Sequence, residues 1–125
     1  MTPTSRALLG AGGEAHARAM LEARGYRFIT ANWRCPAGEL DLVMADGREL
    51  VFVEVKTRRG EAAGRAEEAI SPAKARKLLA TGEWFVAAQP EWQQAVWRID
   101  LLALTLGPDG SVIRATHVEN AVVSG

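Results

Sequence analysis

Two carboxylates and a lysine lie in one stretch of the sequence and together could hydrolyse a phosphodiester. Asp41 lies in Gly-Glu-Leu-Asp-Leu-Val, and Glu54 and Lys56 lie in Val-Phe-Val-Glu-Val-Lys. Carboxylate oxygens suit Mg²⁺, which usually also keeps water and binds substrate phosphate. A nearby lysine could orient the attacking water and offset charge on phosphorus. The alternative is an ordinary Glu54–Lys56 pair on a solvated sheet face, because short motifs often match by chance.

The elements that must position these side chains are the two strands of a β-hairpin. Leu40 to Ala45 and Leu50 to Lys56 are apolar, extended runs, and Asp46-Gly47 between them is a strong signal for a two-residue turn. Alternate strand residues share a face, so Glu54 and the lysine two positions later should point the same way. Asp41 should come near both. Two close carboxylates repel, and a divalent cation would relieve that repulsion.

The residues around this hairpin resemble those of a known bacterial family. The resemblance covers roughly residues 10 to 121 and also includes Gly12-Gly13-Glu14-Ala15, Gly25-Tyr26, Asn32-Trp33-Arg34, Ala66-Glu67-Glu68-Ala69-Ile70 with Lys74, and Arg98-Ile99-Asp100-Leu101. The chain is similar to the UPF0102 family, also called the YraN family. Its Asp…Glu-x-Lys spacing matches the signature of restriction-endonuclease-like nucleases. The resemblance implies an α/β fold of the tRNA-endonuclease-like type, with three α-β-α layers and a mixed central sheet, related to archaeal Holliday-junction resolvases.

The resemblance also implies roles for individual residues. Asp41 and Glu54 would act in catalysis and hold Mg²⁺ or Mn²⁺, and the backbone carbonyl of Val55 would add a ligand. Glu14 lies in the first turn of an expected helix and would join the metal site. The alternative for this glutamate is a carboxylate stabilised only by the helix dipole. Lys56 would be the catalytic lysine.

The charge distribution indicates where nucleic acid would bind. The whole chain has 15 basic and 15 acidic residues, which argues against a protein that coats DNA. Seven basic and three acidic residues nevertheless lie between Lys56 and Lys77, an excess of four positive charges. This stretch includes a predicted surface loop at residues 57–65, for which a merely solvated role is equally consistent. Glu39 is expected to be a supporting acid, and the residues expected to hold backbone phosphates are Arg58, Arg59, Lys74 and Lys77.

Length predicts one domain over residues 1–125, with residues 1–9 as a flexible lead-in, and the resemblance implies that this domain is nuclease-like. Apolar residues make up 48% of the chain, which is typical of a globular domain. The single cysteine, Cys35, cannot form an intrachain disulfide and indicates a reducing compartment. No apolar run approaches the roughly 20 residues that span a bilayer. We therefore expect a cytoplasmic protein without a membrane partner.

The remaining pattern predicts the other elements of the fold. They are a helix over residues 12–24 ended by Gly25, a strand over 26–33, a helix from Pro72 to about Ala88 capped by Ser71, a strand over 96–106 parallel to the Glu54 strand, and a last, edge strand over 111–118. Arg98 and Asp100 are interpreted as a structural pair rather than catalytic residues. His117 and Glu119 are interpreted as a solvated strand end, and the four tryptophans as core or rim residues.

The first functional hypothesis is a metal-dependent endonuclease acting on structured or branched nucleic acid, expected to be DNA, in recombination or repair. One short domain presents one site, so cutting two strands would require a homodimer or a repair or recombination partner protein. The second hypothesis is a non-catalytic nucleic-acid-binding module that serves such a partner. A third treats the charged cluster as an ion-pair network in an interaction scaffold.

Overall fold

A computed structural model describes residues 11–60 and 70–122, with side chains from residue 13 onward. The described elements are α1 (Ala11–Ala23), β1 (Arg27–Cys35), β2 (Gly38–Asp46), β3 (Glu49–Arg59), α2 (Pro72–Ala88), a short 3₁₀ turn (Pro90–Trp92), β4 (Trp97–Leu106) and β5 (Val112–Val118). The predicted lead-in of residues 1–9, residues 61–65 of the predicted loop and the motif at 66–69 lie outside the described residues.

The five strands form one mixed sheet whose order follows the chain, β1-β2-β3-β4-β5. Three neighbouring pairs are antiparallel, and β3 and β4 are parallel because α2 connects them. The parallel pairing, the mixed sheet and the edge position of β5 were all predicted from the sequence and are confirmed.

The two helices cover opposite faces of the sheet, so the fold is α/β with three layers, as predicted. On one face α1 contributes to an apolar cluster of Ala17, Leu21, Tyr26, Leu42, Met44, Val51, Val53, Leu102 and Leu104. On the other face α2 contributes to a cluster of Leu40, Val43, Leu50, Phe52, Leu78, Phe85, Ile99 and Val122. Val51 and Val53 thus face α1 while Phe52 faces α2, which confirms the predicted alternation of β3.

The chain leaves α1 through a Schellman motif that sets the start of β1. Gly25 has φ +95° and donates its N–H to the carbonyl of Glu22 at 3.0 Å. Tyr26 donates to the carbonyl of Leu21, also at 3.0 Å. Both bonds, and the burial of Leu21 and Tyr26 in one cluster, are typical of this motif. The predicted role of Gly25 as the helix stop is confirmed.

The turn of the central hairpin lies one residue later than predicted. Asp46 pairs with Glu49, so the two-residue loop is Gly47-Arg48 rather than Asp46-Gly47. Gly47 has φ +61° at the first loop position, where a type II′ turn takes glycine. A two-residue loop still joins the strands, but the strand register changes accordingly.

β3 is also longer than predicted. Its pairing with β4 continues to Arg59, which lies opposite Leu106, so residues 57–59 belong to the strand and not to a loop. Apolar partners along β4 extend the ladder past the charged residues. No helix in the described ranges is both long and apolar enough to cross a membrane.

A buried polar network ties β4 to β5 and to the end of α1. Arg98 Nε donates to Asp100 Oδ1 at 3.0 Å, and His117 Nε2 lies 2.8 Å from Asp100 Oδ2. Arg24 Nη1 lies 3.1 Å from His117 Nδ1. Because arginine only donates, Nδ1 must accept, so the neutral His117 donates its Nε2–H to Asp100. The structural interpretation of Arg98 and Asp100 agrees with this network.

The interpretation of His117 as a solvated residue is wrong. Its side chain is only 8% exposed, because Asp100 holds the imidazole against the sheet beside Tyr26. Glu119, two residues later, is 63% exposed and agrees with the solvated interpretation. The sequence shows the end of the strand but not this long-range contact.

Candidate functional site

Asp41 and Glu54 lie side by side where β2 and β3 stop pairing. The last cross-strand pair toward this end is Leu42 with Val53, so Asp41 comes next to Glu54. Asp41 Oδ2 accepts a hydrogen bond from the backbone N–H of Val55 at 2.9 Å. The predicted proximity of the two carboxylates is therefore present, and the later turn produces it by placing them directly across from each other.

Asp41 lies at the point where β1 and β2 change the sheet face to which their side chains point. Ala31 and its partner Leu42 pack on the α1 side, whereas Trp33 and its partner Leu40 pack on the α2 side. Residues two apart on a regular strand would share a face. Between them Asn32 has φ +53°, a left-handed conformation that asparagine tolerates better than most residues. Asn32 lies across from the aspartate, where both strands change face.

The two carboxylates line a groove of about 490 Å³ between the hairpin and the first turns of α2. The predicted site residues in its lining are Glu39, Asp41, Glu54, Lys74 and Lys77, and the other lining residues are Gly38, Ser71, Ala73, Leu78 and Thr81. The side chains of Glu39 and Asp41 thus line the same groove, as expected. Half of the predicted site residues share one groove, although they come from two separate parts of the chain.

Glu54 is buried and already carries an ion pair. Its side chain is 6% exposed, and its Oε1 lies 2.6 Å from Nζ of Lys74, whose side chain is 38% exposed. Burial opposes the charge on Lys74, but the hydrogen bond to Glu54 and the attraction of Glu54 and Asp41 raise its pKa. Lys74, predicted to contact phosphate, contacts a candidate metal ligand in this structure.

Asp41 holds its proton unusually strongly. Burial and the negative charge of Glu54 raise its pKa from 3.8 to about 7, assisted by Glu14. The N–H of Val55 and the charge of Lys74 act in the opposite direction. A divalent cation at this position would displace the proton, because metal ligands bind in their deprotonated form.

Glu14 reaches the site from α1. It precedes Ala17 and Leu21 by three and seven residues, so it lies on the helix face that packs against the sheet. Burial raises its pKa, a hydrogen bond with Asn32 lowers it, and the charges of Glu39 and Glu54 raise it. Glu14 therefore lies near enough to Glu39 and Glu54 for their charges to act on its carboxyl group. Its role as a metal ligand stays a prediction.

The donor set suits a hard cation that keeps its own water. Within residues 11–60 and 70–122, no three His, Cys, Asp or Glu side chains form a group that could hold a metal ion. Mg²⁺ commonly binds one or two carboxylates, completing its shell with water and substrate phosphate. Asp41 and Glu54 fit that pattern. For Val55 the structure shows its N–H contact with Asp41, and the role of its carbonyl stays a prediction.

The two arginines after the lysine point to different sides of the sheet. Because β3 continues through Arg59, alternation places Arg58 on the face of Glu54 and Lys56, and Arg59 on the opposite face. Both were predicted to hold backbone phosphate. Only Arg58 shares the face of the carboxylate groove, so a joint role for the two residues would need a substrate that passes around the sheet edge.

The close contact between Thr81 of α2 and Gly38 at the start of the hairpin was not predicted from the sequence. Thr81 is buried in α2, and its Oγ1 donates to the Lys77 carbonyl at 2.6 Å. A Cβ added at Gly38 would lie 2.9 Å from this Oγ1. A Cβ added at Gly82 would lie 2.7 Å from the ring of Trp97 and 2.9 Å from that of Phe52. A Thr-Gly pair inside a helix has poor helix propensity, and that was the available signal.

A family comparison adds the evolutionary context of this site. The model described as "Uncharacterised protein family UPF0102" matches residues 13–104. The chain belongs to the UPF0102 family. Its membership was predicted from the hairpin motifs, and the matched range includes Glu14, Asp41, Glu54, Lys56 and both groove lysines.

Curated UPF0102 proteins match nearly the whole chain. The UPF0102 protein of Roseiflexus castenholzii is 41% identical over 117 residues, which is 94% of each chain. That of Chloroflexus aurantiacus is 42% identical over 120 residues, or 96% of this chain and 97% of its own. That of Mycobacterium bovis is 39% identical over 120 residues, or 92% of each.

Among solved structures, Pyrococcus furiosus SfsA in complex with Ca²⁺ is similar to this UPF0102 chain with a TM-score of 0.39 and 18% identity. The match covers 90% of this chain and 62% of SfsA.

Proposed function

We propose that this UPF0102 protein is a divalent-metal-dependent endonuclease that hydrolyses phosphodiesters in structured or branched nucleic acid, with DNA as the expected substrate. The observation that carries the proposal is the placement of Asp41 beside Glu54 in a groove that also holds Lys74 and Lys77. A carboxylate pair next to ammonium groups suits a phosphate that is bound through metal on one side and through lysine on the other.

Each residue has a distinct task in this proposal. Asp41 and Glu54 hold Mg²⁺ or Mn²⁺, which when bound polarises the scissile phosphate and offsets its charge. Lys56 orients the attacking water and stabilises the negative charge on the phosphate oxygens. Glu14 and Glu39 accept hydrogen bonds from water around the carboxylate pair. The buried hairpin limits the motion of the two ligands, which keeps the water and the phosphate in line.

The groove lysine Lys77 and the arginine Arg58 are the proposed backbone contacts. Lys77 is exposed in the groove, and Arg58 shares the face of Glu54. Contacts of this kind position a nucleic acid without reading its sequence. Since the site offers one carboxylate pair, cutting both strands of a junction requires a second copy or a partner protein from repair or recombination.

A binding module without hydrolysis is the second candidate. It is favoured by the ion pair between Lys74 and Glu54, which compensates the buried carboxylate without a metal. In that case the groove would bind phosphate through its lysines, and binding would be insensitive to chelation.

A cleavage assay with matched variants tests the proposal. Purified protein is incubated with four-way-junction, flap, single-stranded and linear DNA in Mg²⁺, in Mn²⁺ or with chelator. Glu54→Gln and Lys56→Met should each lower the cleavage rate by about 10² to 10³. Glu83→Gln is the control, because Glu83 is exposed on α2 outside the groove.

The outcomes separate the two candidates. Metal-dependent cutting that is lost in both site variants and kept in Glu83→Gln supports the nuclease. Cutting that persists in Glu54→Gln points to a contaminating enzyme. Salt-dependent DNA binding without cutting, equal in wild type and Glu54→Gln and unaffected by chelator, supports the binding module.

A further inference from the structure

The ion pair between Lys74 and Glu54 joins a fixed anion to a cation that is free to move. Glu54 is 6% exposed within β3, whereas the Lys74 side chain is 38% exposed at the groove. Lysine carries a compact charge on a flexible four-carbon stem. The ammonium can therefore leave the carboxylate without a change in the sheet, while the carboxylate has no comparable freedom.

The position of Lys74 within α2 is unfavourable for a cation. Lys74 is the third residue of the helix, and its backbone N–H donates to the Oγ of the cap residue Ser71 at 3.2 Å. A positive charge in a first turn is opposed by the helix dipole, and this turn contains no acidic residue. Helix stability thus does not explain a lysine here. The same dipole would favour a phosphate at this end of α2.

A divalent cation and the ammonium of Lys74 would compete for the same carboxylate. Nζ lies 2.6 Å from Oε1 of Glu54, so a metal ion bound to this carboxylate would lie close to the ammonium, and the two positive charges would repel each other. Asp41 stands beside the same carboxylate. A metal shared by Asp41 and Glu54 would therefore repel the ammonium of Lys74 and favour its movement into the open groove.

We propose that Lys74 is an exchangeable counter-cation: it neutralises Glu54 in the metal-free protein and, once a divalent metal displaces it, its ammonium binds a substrate phosphate. This inference rests on the proposed metal-dependent function. It gives one lysine two successive partners and makes its contribution to nucleic-acid binding depend on metal.

Calorimetric titration of the full chain with Mn²⁺ tests the exchange without reference to cleavage. Lys74→Met keeps the apolar stem but removes the competing charge, so it should bind Mn²⁺ about tenfold more tightly than wild type. Lys74→Arg keeps the charge and should bind Mn²⁺ with affinity close to wild type. Arg76→Met is the control, since Arg76 is exposed on α2 outside the groove and its removal should leave the Mn²⁺ affinity unchanged. Thermal unfolding of each variant verifies that it is folded.

Fluorescence anisotropy with a labelled four-way-junction DNA tests whether Lys74 binds a substrate phosphate once metal is present. The measurement uses a Lys56→Met background to prevent cleavage. In Mn²⁺, adding Lys74→Met should weaken DNA binding about tenfold, and in chelator it should change binding less than twofold.

Three results would overturn the inference in different ways. Equal or weaker Mn²⁺ binding by Lys74→Met than by wild type would remove the exchange while leaving the metal-dependent nuclease intact. No Mn²⁺ binding by wild type or by any Lys74 variant at millimolar metal would remove both the exchange and the metal-dependent function. If Lys74→Met weakens DNA binding equally with and without metal, then Lys74 binds phosphate in both states and does not exchange partners.

Discussion

The Oδ2 of Asp41 accepts the backbone N–H of Val55 at 2.9 Å, at the point where the β2–β3 ladder ends. A side chain therefore takes over the hydrogen bond that the next strand residue would have made. The bond fixes the carboxylate beside Glu54 and leaves the other oxygen of Asp41 available to the groove. It also links the charge state of Asp41 to the stability of the hairpin.

The stability of the protein should fall as pH rises toward neutrality because of Asp41. Its pKa is about 7 in the folded protein against an ordinary value of 3.8, so folding favours its protonated form. The stabilisation is fully present below pH 4 and is lost as pH rises through 7. Between pH 5 and 8 the free energy of unfolding of wild type should drop on the order of 2–3 kcal/mol relative to Asp41→Asn.

Urea unfolding of wild type and Asp41→Asn at both pH values checks this. The asparagine keeps an oxygen for the Val55 N–H, so the comparison isolates the titration of the carboxyl group. Parallel pH profiles for the two proteins would contradict the assignment. Saturating Mn²⁺ should remove the wild-type slope, because the metal takes the place of the proton.

Substitutions of Asn32 should distinguish the effect of its left-handed backbone conformation from the effect of its side-chain hydrogen bond with Glu14. Asn32→Gly keeps the positive φ, while Asn32→Ala should cost about 1 kcal/mol more in the free energy of unfolding. Both variants lose the hydrogen bond that lowers the pKa of Glu14, so both should raise that pKa. Urea unfolding measures the first effect, and an NMR titration of the Glu14 carboxyl carbon measures the second. A pKa of Glu14 unchanged in both variants would show that the contact is absent.

Gly38 should be intolerant of alanine because of Thr81. The added Cβ would lie 2.9 Å from Thr81 Oγ1, and overpacking of this kind should cost about 1–3 kcal/mol of stability. Thr81→Ala removes the oxygen, so the double variant should recover part of the loss in a double-mutant cycle. Gly47→Ala is the control: Gly47 also has positive φ but nothing within 4 Å, so Thr81→Ala should not rescue it. Strictly additive costs at Gly38 and Thr81 would exclude the proposed clash.

Neutralising the buried carboxylate of Asp100 should be costly. Burial opposes its charge, but hydrogen bonds from His117, Arg98 and the N–H of Asn120 hold its pKa below the ordinary value. Its stabilisation is therefore present above pH 4 and is lost as pH falls through the lowered pKa. Asp100→Asn should cost about 3–5 kcal/mol at pH 7 and leave Mn²⁺ affinity unchanged.

Glu119→Gln supplies the comparison for Asp100. Glu119 lies 4.0 Å from the same Arg98 but is 63% exposed, so its loss should cost less than about 1 kcal/mol. Denaturant unfolding of both variants at pH 7 gives the two costs. Similar costs would mean that burial does not distinguish the two carboxylates.

Local patterns predicted most of the fold. Alternation in β3, the cap at Ser71 and the glycine after α1 each depend on neighbouring residues, so they could be recognised along the chain. The nearness of Asp41 to Glu54 followed from the hairpin for the same reason. The turn was placed one residue early because Asp46-Gly47 and Gly47-Arg48 both offer the glycine that a tight turn needs.

The remaining features depend on contacts between distant segments. A left-handed Asn32 inside a strand does not alter the apolar pattern of β1 enough to be seen. His117 is buried because it contacts Asp100. Lys74 pairs with Glu54 only because α2 packs on the hairpin. In each case the sequence shows a residue type suited to several roles, and tertiary contact decides among them.

The agreement between strand order and chain order also affects how the site assembles. Asp41 and Glu54 meet when a short hairpin closes, whereas Lys74 reaches Glu54 only when α2, which follows β3 in the chain, packs on that hairpin. Local contacts generally form faster than distant ones. A folding chain should therefore present its paired acids before their lysine, and a divalent ion present during synthesis could load the hairpin before any exchange is needed.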